Sequence, residues 1–112
     1  MKIAVVDYKA GNLTSVLKGI TAAGAHGFVT ILAADVASAD AVIVPGVGHF
    51  AATNAIDEGM RRALSDTARA GKPILGICLG LQFLFEGSEE ARDAAGLGLL
   101  EGRCARLRGD LK

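Results

Sequence analysis

The sequence has no tryptophan, one tyrosine and four phenylalanines, so aromatic residues fill only 4% of its 112 positions. Packing must come from Ala, Val, Leu, Ile and Gly in a chain that is 51% hydrophobic, which suits small helices lying close on a parallel sheet. Two cysteines without CxxC spacing give neither a zinc-site nor a disulfide pattern, and a reducing compartment suits them. Neither metal nor cofactor is expected. Net charge is also lacking: twelve basic residues balance twelve acidic ones, leaving no field to attract nucleic acid or an anionic membrane. The slightly basic tail, Arg103, Arg106, Arg108 and Lys112 against Glu101 and Asp110, reads as solvated surface. The apolar run at the N-terminus stops at Asp7, too short for a signal peptide, and no run is long enough to span a bilayer. With no repeat, low-complexity tract or linker, a single cytoplasmic domain is expected.

Hydrophobic periodicity alternates along the chain. Residues 2–6 form a short apolar run that reads as a buried strand. Leu13, Val16, Leu17 and Ile20 fall at helical spacing, with Asn12 as cap and Gly24 as stop. Strands are predicted at 28–32, 41–44 and 74–77, and a single helical turn at 35–39. Thr53 or Asn54 is expected to cap a second long helix with Ile56, Met60, Ala63 and Leu64 inward and Gly71 at its end. A helix is predicted over 79–85, a weaker one over 88–95, and one or two short strands over 96–107. Strands alternating with helices predict an α/β fold with a parallel sheet and right-handed crossovers. Ligands of such sheets bind beyond the carboxyl ends of the strands, which directs attention to residues 7–12, 45–49 and 78–82.

Gly76-Ile77-Cys78-Leu79-Gly80 has the G-x-nucleophile-x-G pattern of a sharp strand-to-helix turn. Such a turn lifts the sulfur above the sheet. The helix behind it aims unpaired amides at the site, the Leu79 amide among them, favouring developing negative charge. Taken alone the pentapeptide also fits a buried core cysteine; its place at a strand-to-helix junction favours chemistry. Cys104 has no such context and reads as core filler. Pro45-Gly46-Val47-Gly48 ends the neighbouring strand, where glycines let the backbone turn a second amide toward a reacting carbonyl. Neither a G-x-G-x-x-G nor a Walker pattern follows it, against a phosphate loop.

Asp7-Tyr8-Lys9-Ala10-Gly11-Asn12-Leu13, Pro45-Gly46-Val47-Gly48-His49-Phe50 and Gly76-Ile77-Cys78-Leu79-Gly80-Leu81-Gln82, in that order, resemble class I glutamine amidotransferases. Within the class they are most similar to the glutaminase subunits of imidazole glycerol phosphate synthase. The resemblance extends through Phe85-Glu86-Gly87-Ser88-Glu89-Glu90 and covers essentially the whole chain. It implies a three-layer, flavodoxin-like fold and hydrolysis of glutamine through a cysteinyl thioester, with ammonia passed to a barrel-shaped cyclase subunit. It makes Cys78 the nucleophile, and Val47, Gly48 and Leu79 the oxyanion donors. Gly46, Gln82 and Glu90 become substrate contacts, and Gly11 and Asn12 face the cyclase. Glu90 read alone, within Glu89-Glu90-Ala91-Arg92, is surface charge.

The resemblance also implies that residues 1–112 are the N-terminal part of one such domain, about half of it. The family's catalytic His and Glu and its P-H-x-G-W-N segment have no counterpart before Lys112. His26 and His49 are the histidines present. His26 is expected in a surface turn away from the elbow, whereas His49 lies beside the oxyanion loop, where a substitute role as base is geometrically open. The chain as given is expected to be inactive or nearly so. Two alternatives share the layered fold: a non-catalytic docking or oligomerising half-domain, and a flavodoxin-like or cysteine-based redox protein.

Overall fold

The computed structural model describes residues 1–107, so Arg108, Asp110 and Lys112 of the basic tail lie outside the described residues. The strands β1 (Lys2–Val6), β2 (His26–Thr30), β3 (Ala41–Val44) and β4 (Ile74–Gly76) form a parallel sheet in the order β2-β1-β3-β4. Side chains alternate across it, as strand pleating requires. Ala4, Val6, Val42 and Val44 face one way and pack against Val36 of α2 (Ala33–Ser38), Met60 and Leu64 of α3 (Glu58–Arg69), and Phe83 of α4 (Leu79–Phe83). Val5 and Ile43 face the other way, where Ile20, Leu13, Val16 and Leu17 of α1 (Leu13–Ala22) cover them. The result is three layers, helix on sheet on helix. Full burial of a side chain such as Leu64 or Phe83 contributes about 2 kcal/mol.

Helix ends follow local chemistry. Asn12 caps α1 by accepting the Ser15 amide N–H at 3.1 Å. At the far end of both α1 and α3, paired bonds close the last turn around a left-handed glycine. Gly24 and Ala25 donate to Thr21 and Ile20, and Gly71 and Lys72 to Ala68 and Thr67.

Several boundaries differ from the sequence expectation. The second strand lies at His26–Thr30, not 28–32, because β1 pairs Lys2 with His26 and Val6 with Thr30. Ile31 and Leu32 are exposed beyond it, where Thr30 Oγ1 accepts the Leu32 amide N–H and turns the chain into α2, which begins at Ala33. His26 is therefore the first residue of a strand rather than a turn residue, though it is exposed. The long helix starts at Glu58 with Asp57 as cap, accepting the Met60 amide N–H at 2.8 Å. Thr53 and Asn54 belong instead to a 3-10 turn, Phe50–Ala55, in which the buried Thr53 hydroxyl donates to the Phe50 carbonyl. β4 ends at Gly76 and α4 at Phe83, each shorter than expected.

Residues 88–95 hold no helix. Their start and the segment before residue 107 instead pair as two short parallel strands, β5 (Gly87–Ser88) and β6 (Arg103–Cys104). The Glu89 amide reinforces that pairing by donating to the Cys104 carbonyl. Arg61 fastens the intervening loop to α3. Its guanidinium lies 4.9 Å from the Phe83 ring centre and donates to the carbonyls of Ile56, Ala95 and Gly96. No helix among the described residues is long and apolar enough to cross a membrane. Leu75 on β4, Ile77 just after it and Leu81 on α4 are exposed, and among the described residues β4 pairs with β3 alone.

Candidate active site

In the sheet order β2-β1-β3-β4 the chain direction of travel reverses between β1 and β3, the position where parallel sheets open a crevice at their carboxyl ends. The loops after β1 and β3 meet there. A side chain built on Gly11 would stand 3.1 Å from the backbone N and Cα of Gly46. Tyr8 is buried and its hydroxyl donates to the Pro45 carbonyl at 2.5 Å; a side chain on Gly46 would strike that hydroxyl. Burial pushes the Tyr8 phenol from its ordinary 10.0 up to about 12.

This shift gives a pH prediction. The folded state holds the Tyr8 proton more tightly than the unfolded chain, so its contribution to stability is complete below pH 10.0 and lost as pH rises through about 12. Between those values stability should fall by about 1.4 kcal/mol per pH unit from this group. Urea unfolding across that range should show the decline in wild type and its reduction in Tyr8→Phe. At pH 7 the variant should lose about 1 kcal/mol, from the missing hydrogen bond. Parallel pH profiles for the two proteins would refute the assignment.

The loop after β4 carries Cys78 with φ 52° and ψ −114°, a conformation that side-chain-bearing residues rarely adopt. Its neighbours force it. A side chain on Gly76 would sit 2.6 Å from Leu81 Cα, and one on Gly80 would overlap the Val44 carbonyl. The helix behind the elbow therefore presses directly on the ends of β3 and β4, and Cys78 is left exposed at the turn.

The three expected oxyanion residues lie beside it in different states. Val47 and Gly48 are exposed, and their amides have no hydrogen-bond partner among the described residues. The Leu79 amide instead donates to the Gly46 carbonyl at 3.1 Å, so it becomes available only if that carbonyl turns away. His49 is exposed and its Nδ1 accepts the Ala51 amide N–H at 3.1 Å, which makes it a cap for the 3-10 turn. No hydrogen bond joins either histidine to the Cys78 sulfur among the described residues.

Of the expected substrate contacts, Gln82 and Glu90 line one cavity of about 650 Å³, together with Gly48. Gly46 is buried beneath Tyr8 and does not reach it. Gln82 stands one helical turn beyond the nucleophile, its amide N–H donating to the Cys78 carbonyl. Gly11 and Asn12 are exposed at the outer rim, the Asn12 side chain being occupied by its cap.

Ser88, Glu89, Arg92, Cys104, Ala105 and Arg106 complete the cavity wall and were not singled out as site residues by sequence. Cys104 is thus not core filler: it is half-buried, faces the cavity and lies 3.9 Å from the Gln82 carbonyl. Burial pushes its thiol up, so it forms thiolate less readily than an ordinary cysteine. Tyr8 was also missed as a structural post, although a lone tyrosine at a strand end was a visible signal.

Comparison with known proteins gives a consistent picture. The model of the CobB/CobQ-like glutamine amidotransferase domain matches residues 3–108. The chain is 51% identical over 111 residues to the imidazole glycerol phosphate synthase subunit HisH of Synechococcus elongatus, covering 97% of this chain and 51% of that protein. It is 49% identical over 110 residues to the subunit of the same name from Gloeobacter violaceus, covering 96% of this chain and 48% of that one. For the Nostoc punctiforme subunit the identity is 47% over 108 residues, covering 95% and 51%. The chain spans about half the length of the curated relatives it matches. These matches do not favour the redox or docking-module alternatives.

Proposed function

The chain belongs to the CobB/CobQ-like glutamine amidotransferases, within class I, and from that premise we propose that it carries the nucleophile half of a glutaminase domain that supplies ammonia for histidine biosynthesis. The observation that carries the reading is the Cys78 elbow, with its left-handed backbone held by Gly76 and Gly80 at the open end of the sheet. The Cys78 sulfur attacks the side-chain carboxamide carbon of glutamine, forming a C–S bond and placing negative charge on the carbonyl oxygen. Val47 and Gly48 offer that oxygen amides that are unpartnered among the described residues, and Leu79 joins them once the Gly46 carbonyl has turned away from its amide. Collapse breaks the C–N bond and releases ammonia, which needs a proton as it leaves. Water then cleaves the thioester to glutamate and free thiol. Gln82 and Glu90 hold the amino-acid end of the substrate. Gly11 and Asn12 lie toward a cyclase subunit of imidazole glycerol phosphate synthase, a barrel that consumes the ammonia. The chemistry requires neither metal nor cofactor.

The test is ammonia release from glutamine by the 112-residue polypeptide, alone and with a cyclase subunit. Because the leaving ammonia needs a proton and no described histidine is hydrogen-bonded to the sulfur, the expected result is no sustained release, with Cys78 still open to alkylation by a glutamine-shaped electrophile. Sustained release that vanishes in Cys78→Ala would place a base among these residues, with His49→Ala the next variant. Release that survives Cys78→Ala would reject Cys78 as nucleophile.

A further inference from the structure

The segment 47–49 hangs between two fixed posts. On one side Gly46 is clamped beneath Tyr8, its carbonyl accepting the Leu79 amide. On the other, the Phe50 ring is fully buried and its carbonyl accepts the Thr53 hydroxyl. The Phe50 amide donates to Glu90 Oε1 at 2.7 Å, a contact between residues 40 apart in sequence. Glu90 is itself placed by Ser88, a buried residue whose hydroxyl accepts the Glu90 amide N–H at 3.2 Å. The second Glu90 carboxylate oxygen has no partner among the described residues, and Glu90 lines the cavity.

One carboxylate thus touches both the backbone that follows the oxyanion loop and the space assigned to substrate. We propose that Glu90 couples occupancy of the cavity to the loop at 47–49, one oxygen holding the Phe50 amide while the other takes the α-ammonium of a bound amino acid. This rests on the reading of the cavity as the glutamine site. A carboxylate has acceptor capacity for both partners at once. Glu90 is exposed, so its bond to the Phe50 amide alone holds a side chain that solvent competes for. An ion pair on one oxygen orders it, and the cost of that ordering is then shared with the Phe50 bond. Substrate therefore tightens the tether. By reciprocity, loss of the tether weakens substrate binding by the same factor. Glu90 is a positioning residue in this scheme as well as a substrate contact.

Amide exchange of the whole 112-residue chain, read by NMR with and without L-glutamine, tests the coupling. In Glu90→Ala the Phe50 amide should exchange about fivefold faster, with Val44 and Val42 unchanged as a control on folding. Glu90→Gln keeps an acceptor for Phe50 and should exchange within about twofold of wild type, while binding glutamine about tenfold more weakly for want of the charge. Glutamine should slow Phe50 exchange and shift the Val47 and Gly48 amides in wild type, and should do neither in Glu90→Ala. Shifts at Gln82 and Arg106 without any change at Phe50, Val47 or Gly48 would overturn the coupling while leaving the glutamine reading intact. No shift of any cavity amide at saturating millimolar glutamine would overturn that reading, and the coupling with it.

Discussion

Replacing Gly80 with alanine is expected to destabilise the fold by about 3 kcal/mol or more, because the new methyl has nowhere to go. The Gly80 position faces the Val44 carbonyl oxygen and carbon, with the Pro45 carbonyl close behind. These are backbone atoms of the strand that ends at the oxyanion loop, and they cannot swing aside as a side chain would. Relief would require α4 to lift off the sheet, which would expose Leu79 and Phe83, both buried against it. In a domain whose total stability is of the order of 5–15 kcal/mol, that loss is a large fraction of the whole. Gly19→Ala provides the contrast. Gly19 lies inside α1 with nothing within 4 Å of the added methyl, so the same substitution should stabilise by about 0.5–1 kcal/mol through helix propensity and the unfolded chain's lower entropy. Urea midpoints for the two variants should move in opposite directions. A Gly80→Ala midpoint within error of wild type would mean that α4 does not press on β3 in solution.

The reading of Gly80 from sequence was correct in kind because the G-x-C-x-G spacing has few physical solutions at a strand-to-helix junction. β1 and β3 were equally plain, since four or five apolar residues bounded by Asp7 or by Pro45-Gly46 leave little choice of ends. Periodicity misled at α3. Ile56, Met60, Ala63 and Leu64 keep helical spacing straight through a break at Asp57, so the buried Ile56 looked helical although it precedes the cap. At β2 the apolar run of 28–32 pulled the strand two residues late, where pairing with Lys2 to Val6 sets the true register. The cavity was harder still. Gln82 was suggested by its distance from Cys78 along one helix, whereas Glu90 read by itself was surface charge and only the resemblance made it a substrate contact; its bond to the Phe50 amide had no local signal. Cys104 and Arg106 reach the same wall only through the two-residue pairing of β5 with β6, which no local pattern announces.

Cys78 is expected to be the residue where stability and chemistry part most sharply. Its φ of 52° with ψ of −114° costs about 1–3 kcal/mol for any residue bearing a side chain. Cys78→Ala keeps that strain and should leave the unfolding midpoint nearly unchanged. Cys78→Gly removes it, and after glycine's own entropic cost a net gain of about 1 kcal/mol is expected. Both variants should lose the fast reaction with a glutamine-shaped chloroketone, an electrophile that would occupy the substrate cavity and place its carbon against the elbow sulfur, and keep only the slow labelling of Cys104. In wild type that reagent should label Cys78 at least about tenfold faster than Cys104, through orientation in the bound complex. Cys104 lines that cavity and Cys78 does not, so proximity to the cavity wall alone would favour Cys104; its thiol, however, is pushed up by burial and lies against the Gln82 carbonyl rather than on a strained turn. Peptide mapping after partial labelling decides the matter. Equal modification of the two cysteines would remove the case for an activated elbow. A Cys78→Gly protein no more stable than wild type would show that the turn is relaxed, and that its shape follows from packing of Gly76 and Gly80 without strain held at the nucleophile. The expected pairing, higher stability with the fast reaction gone, is what a residue kept in place for chemistry rather than for folding should give.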